Sequence, residues 1–173
     1  MKFWTALVAY QAVWFFSVIG AGLDLAWPGV IAAATFAAWR LVVTPHRIVE
    51  LKLMVTSFLL GLVLQIAWVE GGWIRYAAPW PSPLIPAWLM ALWLAFGLTI
   101  VPLFGFLHAR PLLAALLGAV GGPLAFLGAA RGWQAATLAQ PTWESVLALA
   151  AGWAIALPLL TSLAHHWQYK RHS

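Results

Sequence analysis

The sequence predicts an all-α polytopic membrane protein, with six transmembrane helices in one bundle and both termini in the cytoplasm. Of its 173 residues, 64% are hydrophobic and only 8% are charged, whereas about a quarter of the residues of a soluble domain carry charge. The apolar residues form runs of the length that crosses a bilayer, roughly 20 residues. A single domain of residues 1–173 is therefore expected, with no room for a soluble catalytic domain.

Charged residues and prolines delimit the first three predicted spans. The first run follows Lys2, is longer than the apolar core of a secretory signal and precedes further apolar runs, so it is interpreted as a helix. Pro28 suits the start of the second helix, which Thr44 and Pro45 end. The third helix ends at about Val69, because Glu70, Gly71 and Gly72 and the prolines after them cannot continue a helix. These spans are residues 3–22, 28–43 and 51–69.

The second half of the chain predicts three more spans. Residues 73–84 are rich in proline and are predicted to form a loop before the fourth helix, which is uncharged and ends before Pro111. The fifth helix ends at Ala130, and a loop from Arg131 to Pro141 separates it from the sixth. These spans are residues 85–107, 112–130 and 143–165.

The distribution of positive charge orients the bundle. Only Arg75 and Arg131 flank one side, so the side that holds most Lys and Arg is predicted to be cytoplasmic. Because these charges lie in short clusters between apolar runs, they do not indicate nucleic-acid binding. Arg40 lies about one turn inside the second helix. We expect its guanidinium to snorkel to the headgroups, and a buried ion site is the less favoured alternative. The cytoplasmic group is Lys2, Arg40, Arg47, Lys52, Arg110, Lys170 and Arg171.

Two amides are the deepest strongly polar side chains. Gln11 and Gln65 lie within the first and third predicted spans, and an amide in hydrocarbon needs a hydrogen-bond partner. Both are therefore expected to face the interior of the bundle, where they could bond to each other. A structural contact between helices is the favoured interpretation, and a ligand for a substrate is the alternative.

Near the outer boundary the sequence gathers three carboxylates and two guanidinium groups. Such a cluster could perform acid–base chemistry or hold a divalent cation, but its spacing matches no ligand motif, so salt bridges between loops are favoured. The chain has no Cys, and its His residues fall mostly at the other boundary, so neither a metal nor a cofactor is expected. The cluster is Asp24, Glu70, Arg75, Arg131 and Glu144; candidate ligand-binding residues are Gln11, Gln65, Glu70, Arg131, Asp24 and Glu144.

The fifth helix carries small residues at a four-residue spacing. Ala114, Gly118 and Gly122 predict close packing against another helix, and Pro123 removes a backbone donor at mid-membrane. Bent helices around an interior cavity would suit a lipophilic ligand, although such bends are also common in purely structural bundles. The same small residues could instead form a homodimer.

Four stretches resemble, in their order and spacing, one family of bacterial inner-membrane proteins, the domain-of-unknown-function family numbered twenty-eight seventy-eight. The resemblance covers nearly the whole chain and implies an inner-membrane location and a loose association with membrane lipid metabolism, without an established activity. Many members carry an acidic residue near the position of Gln65, so this chain departs from them there, which puts a proton-linked role in doubt. The stretches are residues 10–18 (YQAVWFFSV), 61–65 (GLVLQ), 86–96 (PAWLMALWLAF) and 121–128 (GGPLAFLG).

Three functions follow from these observations. The favoured one is a non-catalytic module that binds a lipophilic molecule or supports a partner in membrane lipid metabolism. The second is a small lipid-modifying enzyme that uses the outer cluster of carboxylates and Arg. The third is a transporter of small hydrophobic solutes. The expected partners are membrane lipids and, in addition, a membrane protein or a second copy bound through helix five.

Overall fold

The computed structural model describes residues 2–169, which form six α-helices and one pair of short strands. Lys170 and Arg171, which the charge count places at the cytoplasmic face, lie outside the described residues. A 3-10 turn, Gly105–Leu107, extends the fourth helix. The elements are α1 (Lys2–Gly22), α2 (Trp27–Val43), α3 (Arg47–Glu70), β1 (Ile74–Tyr76), α4 (Ala87–Phe104), α5 (Pro111–Trp133), β2 (Ala136–Leu138) and α6 (Thr142–Tyr169).

Five of these helices are long and apolar enough to cross a bilayer, and the chain is therefore a multi-pass membrane protein. The exception is α2, which has 17 residues and is about 26 Å long at roughly 1.5 Å per residue. Each helix coincides with one apolar run of the sequence. The largest differences are at the end of α6, which extends to Tyr169 rather than residue 165, and at the start of α3. Helix α3 begins at Arg47 rather than near residue 51 and so takes Glu50 into its first turn.

The centre of the bundle is α4. In its most apolar stretch 67% of the residues are buried, against 28% in α1, α3 and α5. Helices α1, α2, α3 and α6 all pack against α4. Within residues 2–169, α5 instead packs mainly on α6 and makes few contacts with α4, which leaves a space between α4 and α5.

Two tryptophans set the spacing of four helices. The rings of Trp93 in α4 and Trp153 in α6 stack with centroids 4.7 Å apart and planes at 10°. A Cβ added at Gly61 of α3 would lie 2.3 Å from the Trp93 ring, and one added at Gly122 of α5 would lie 2.1 Å from the Trp153 ring. A single stack is thus formed by Gly61, Trp93, Trp153 and Gly122, in this order, and only glycine fits at either end of it.

The three connections that contain Asp24, β1 and β2 lie together at one end of the bundle. Strands β1 and β2 are antiparallel, with Arg75 opposite Thr137, and Oδ1 of Asp24 accepts a hydrogen bond of 3.1 Å from the backbone N–H of Ala78. We call β1, β2 and residues 77–86 the cap. The sequence predicted a loop here, because strands of three residues among prolines carry too short a pattern to recognise.

We expect Gly122→Ala to destabilise the bundle by about 1–3 kcal/mol, because its methyl group would overlap a ring that the stack holds in place. Gly132→Ala in the same helix is the matched control, since a Cβ there meets nothing within 4 Å, and it should be neutral or gain up to about 1 kcal/mol of helix propensity. Unfolding in mixed micelles measures both. Equal stability of the two variants would contradict the stack.

Candidate functional site

A cavity of about 610 Å³ lies between α1, α4, α5 and α6 beneath the cap. It occupies the space that α5 leaves beside α4, and the Trp93 and Trp153 stack forms part of its wall. Its lining is mostly aromatic and aliphatic, and among residues 2–169 no Asp, Glu, Lys, Arg or His contributes to it. A cavity of this size and polarity suits an uncharged, lipophilic molecule.

The aromatic walls are fixed by contacts between their own rings. The Phe96 ring is perpendicular to that of Trp153, with centroids 5.1 Å apart and planes at 89°, and the Tyr10 ring of α1 is tilted against Phe96 at 6.1 Å. At the cap end, Tyr76 lies edge-on to Trp88 at 6.0 Å. The perpendicular arrangements of Phe96 with Trp153 and of Tyr76 with Trp88 are favoured ones for aromatic pairs, so the rings hold one another in place and the walls are preformed.

The cavity opens sideways, between α1 and α5. Near the cap these helices touch, since Trp14 of α1 packs edge-on against Trp133 of α5 at 5.5 Å and lies beside Gly128. Farther from the cap they separate, and the cavity is lined there by exposed residues of both helices. We call these residues the mouth: Gln11 of α1 and Leu117, Gly121 and Leu124 of α5.

Gly121 keeps the mouth open. A Cβ added at this position would meet nothing within 4 Å, in contrast to Gly118 and Gly122, where it would overlap Trp153. The small residues of helix five therefore pack closely, as their spacing predicted, but against α6 of the same chain. A homodimer through α5 would have to use its exposed face instead, which carries Leu112, Leu116, Val120 and Leu124.

Gln65 is completely buried and bonds to the cap rather than to Gln11. The hydroxyl of Tyr76 donates a hydrogen bond to Oε1 of Gln65. Burial raises the pKa of Tyr76 well above its ordinary value, so this hydroxyl keeps its proton and remains a donor. Nε2 of Gln65 has no partner among the described residues. The partner was missed because Tyr76 belongs to a segment that the sequence predicted as a loop.

Gln11 lies at the mouth of the cavity, where its side chain is exposed on the surface of the bundle. Gln11 was expected to face the interior of the bundle. This is met only in part, because Gln11 lines the cavity but lies on its lipid-facing side. In the part of the chain that the structure describes, its amide forms no hydrogen bond, and neither does the hydroxyl of Tyr10 beside it.

The members of the outer cluster of charges are not joined to one another. Glu70, Arg75, Arg131 and Glu144 are exposed, and between residues 2 and 169 no ion pair or hydrogen bond joins any two members of the cluster. Asp24, also exposed, is engaged only with the backbone of the cap. The salt bridges expected between these loops are therefore not formed.

A buried ion pair, which the sequence did not predict, joins α2 to α3. Nη2 of Arg40 lies 2.5 Å from Oε1 of Glu50, and the hydroxyl of Thr44 donates to the same oxygen at 2.7 Å. Arg40 is only 5% exposed and Glu50 is fully buried, so the expectation that Arg40 snorkels to the headgroups is wrong. The helix dipoles favour both charges, since Arg40 lies in the last turn of α2 and Glu50 in the first turn of α3.

A family model described as "Protein of unknown function (DUF2878)" matches residues 3–159, and the chain belongs to this family. The match confirms the resemblance that the four sequence stretches indicated. No curated protein and no solved structure matches the chain.

The Arg40 and Glu50 pair generates a prediction for stability. Arg40→Met should cost about 3–5 kcal/mol, because it leaves the Glu50 carboxylate buried without its counter-charge. Glu50→Leu should cost less, since a long Arg side chain near a helix end can reach the headgroups. The double variant should be more stable than Arg40→Met alone. A double-mutant cycle in mixed micelles measures the coupling energy between Arg40 and Glu50. Additive effects of the two substitutions on the free energy of unfolding would contradict the ion pair.

Proposed function

We propose that this member of the DUF2878 family is a non-catalytic protein of the bacterial inner membrane, which binds a lipophilic molecule in the cavity between α1, α4 and α5. The observation that carries the proposal is the cavity itself, which is preformed, lined by aromatic rings and open sideways through the mouth. Bound lipid would be held there for, or presented to, a partner in membrane lipid metabolism.

In this proposal all six helices span the membrane and both termini are cytoplasmic. The length of α2, about 26 Å, is close to the roughly 30 Å of the hydrocarbon core. The positive-inside rule supports an outer position for the cap, because Arg47, Lys52 and Arg110 lie at the ends of helices opposite to it. Trp27 and Trp80, whose rings lie 4.6 Å apart at the cap end, suit the outer interface.

The chemistry of the cavity favours binding over catalysis. General acid–base chemistry requires titratable groups beside the reacting atoms, and the described lining offers only tyrosine hydroxyls, of which that of Tyr76 is engaged by Gln65. The carboxylates considered for a lipid-modifying enzyme, Asp24, Glu70 and Glu144, do not line the cavity. The buried Arg40 and Glu50 pair, which would be of interest for ion coupling, also lies apart from it.

Filling the mouth tests the proposal. Gly121→Leu places a side chain where a Cβ has open space, so the variant should fold normally and yet exclude the ligand. Gly132→Leu adds the same side chain to the same helix, outside the cavity and also into open space. The wild type and both variants are extracted from their own membrane under mild conditions.

Native mass spectrometry with lipid identification then compares occupancy. We expect a lipophilic molecule on the wild type and on Gly132→Leu, and about tenfold less on Gly121→Leu, which corresponds to roughly 1.4 kcal/mol of lost affinity. An empty wild-type bundle, or equal occupancy of the two variants, would refute the cavity as the binding site.

A further inference from the structure

The position of Gln11 at the mouth is unusual for a membrane protein. Gln11 is the tenth of the 21 residues of α1, which puts it about 14–16 Å from either end of the helix at roughly 1.5 Å per residue. It is exposed on the lipid side of the bundle. If α1 spans the bilayer, this amide lies near the midplane, where hydrocarbon offers it neither a donor nor an acceptor.

No neighbour in residues 2–169 satisfies this amide. Its two N–H groups and its carbonyl form no hydrogen bond, and the adjacent Tyr10 hydroxyl, which also lines the cavity, forms none. Gln65, by contrast, is buried and bonded to Tyr76. An amide left unpaired in an apolar medium is costly, so whatever covers Gln11 is expected to supply a polar group at this depth.

A molecule bound in the cavity is in the right position to supply this polar group to Gln11. Gln11 belongs to the lining of the cavity, one turn from Trp14, which packs against Trp133 of α5. Since no charged side chain among the described residues lines the cavity, the matching group is uncharged. An ordinary acyl chain has no polar atom near the midplane and would leave the amide unpaired.

We propose that the ligand carries an uncharged hydrogen-bonding group, a carbonyl or a hydroxyl, within its apolar body, and that Gln11 binds this group while the rest of the molecule packs on the aromatic walls. This inference rests on the proposed function and narrows it to one chemical class of lipid. Tyr10 lies beside Gln11 as a second hydrogen-bonding side chain for the same group.

Two probes of equal length test the inference. The first is a symmetrical long-chain dialkyl ketone, with its carbonyl at mid-chain, and the second is the alkane of the same length. Both are offered to the full-length protein in micelles, and bound probe is counted by native mass spectrometry. Gln11→Leu removes the amide at an exposed position that lipid already contacts, so this variant should remain folded.

The control variant is Val8→Leu, which is also exposed on α1 but does not line the cavity. Wild type and Val8→Leu should bind the ketone about three- to tenfold more tightly than the alkane, the range expected for one or two net hydrogen bonds. In Gln11→Leu the preference should vanish while the affinity for the alkane is retained. The infrared carbonyl stretch of the bound ketone should shift to higher wavenumber in this variant.

The outcomes separate the inference from the proposed function. Equal binding of ketone and alkane by the wild type would overturn the inference and leave a lipid-binding cavity in place. If neither probe binds the wild type and no native lipid is found, the proposed function fails as well. A ketone preference that survives in Gln11→Leu, together with a loss of dimers in that variant, would show that Gln11 pairs with a second copy and would overturn the inference.

Discussion

The stack of Gly61, Trp93, Trp153 and Gly122 is the contact on which the rest of the bundle depends. It fixes the distances between α3, α4, α6 and α5, which are set by the thickness of two indole rings and by the two glycines that pack against them. Because Trp153 stands between α4 and α5, these helices cannot close on each other. The cavity is thus a consequence of how the bundle is packed, rather than a defect in the packing.

The cap completes the enclosure by a different kind of contact. Its two strands lie in connections that are far apart in the sequence, and their pairing holds Tyr76 over the end of the cavity. Gln65, in the C-terminal part of α3, accepts the hydrogen bond of Tyr76. Packing of aromatic rings therefore shapes the walls, whereas backbone pairing and one polar contact close the top.

The sequence was informative wherever a property is carried by one segment. Length and hydropathy located all six helices, the four-residue spacing in α5 predicted its close packing, and Gln65 was expected to face the interior, where it is buried. The partners of these residues were not predictable, because a hydrogen bond between Gln65 and Tyr76 depends on how a loop folds back. The Arg40 and Glu50 pair was not predicted for a related reason, since Glu50 was assigned to a connection and not to the first turn of α3.

The sideways opening has a consequence for how a molecule would enter or leave. A cavity that opens between α1 and α5 exchanges its contents with the bilayer, so a ligand never has to cross an aqueous phase. Under the proposed function, its occupancy would be set by the mole fraction of that molecule among the lipids of the leaflet, so a change in membrane composition would change the loaded fraction of the protein.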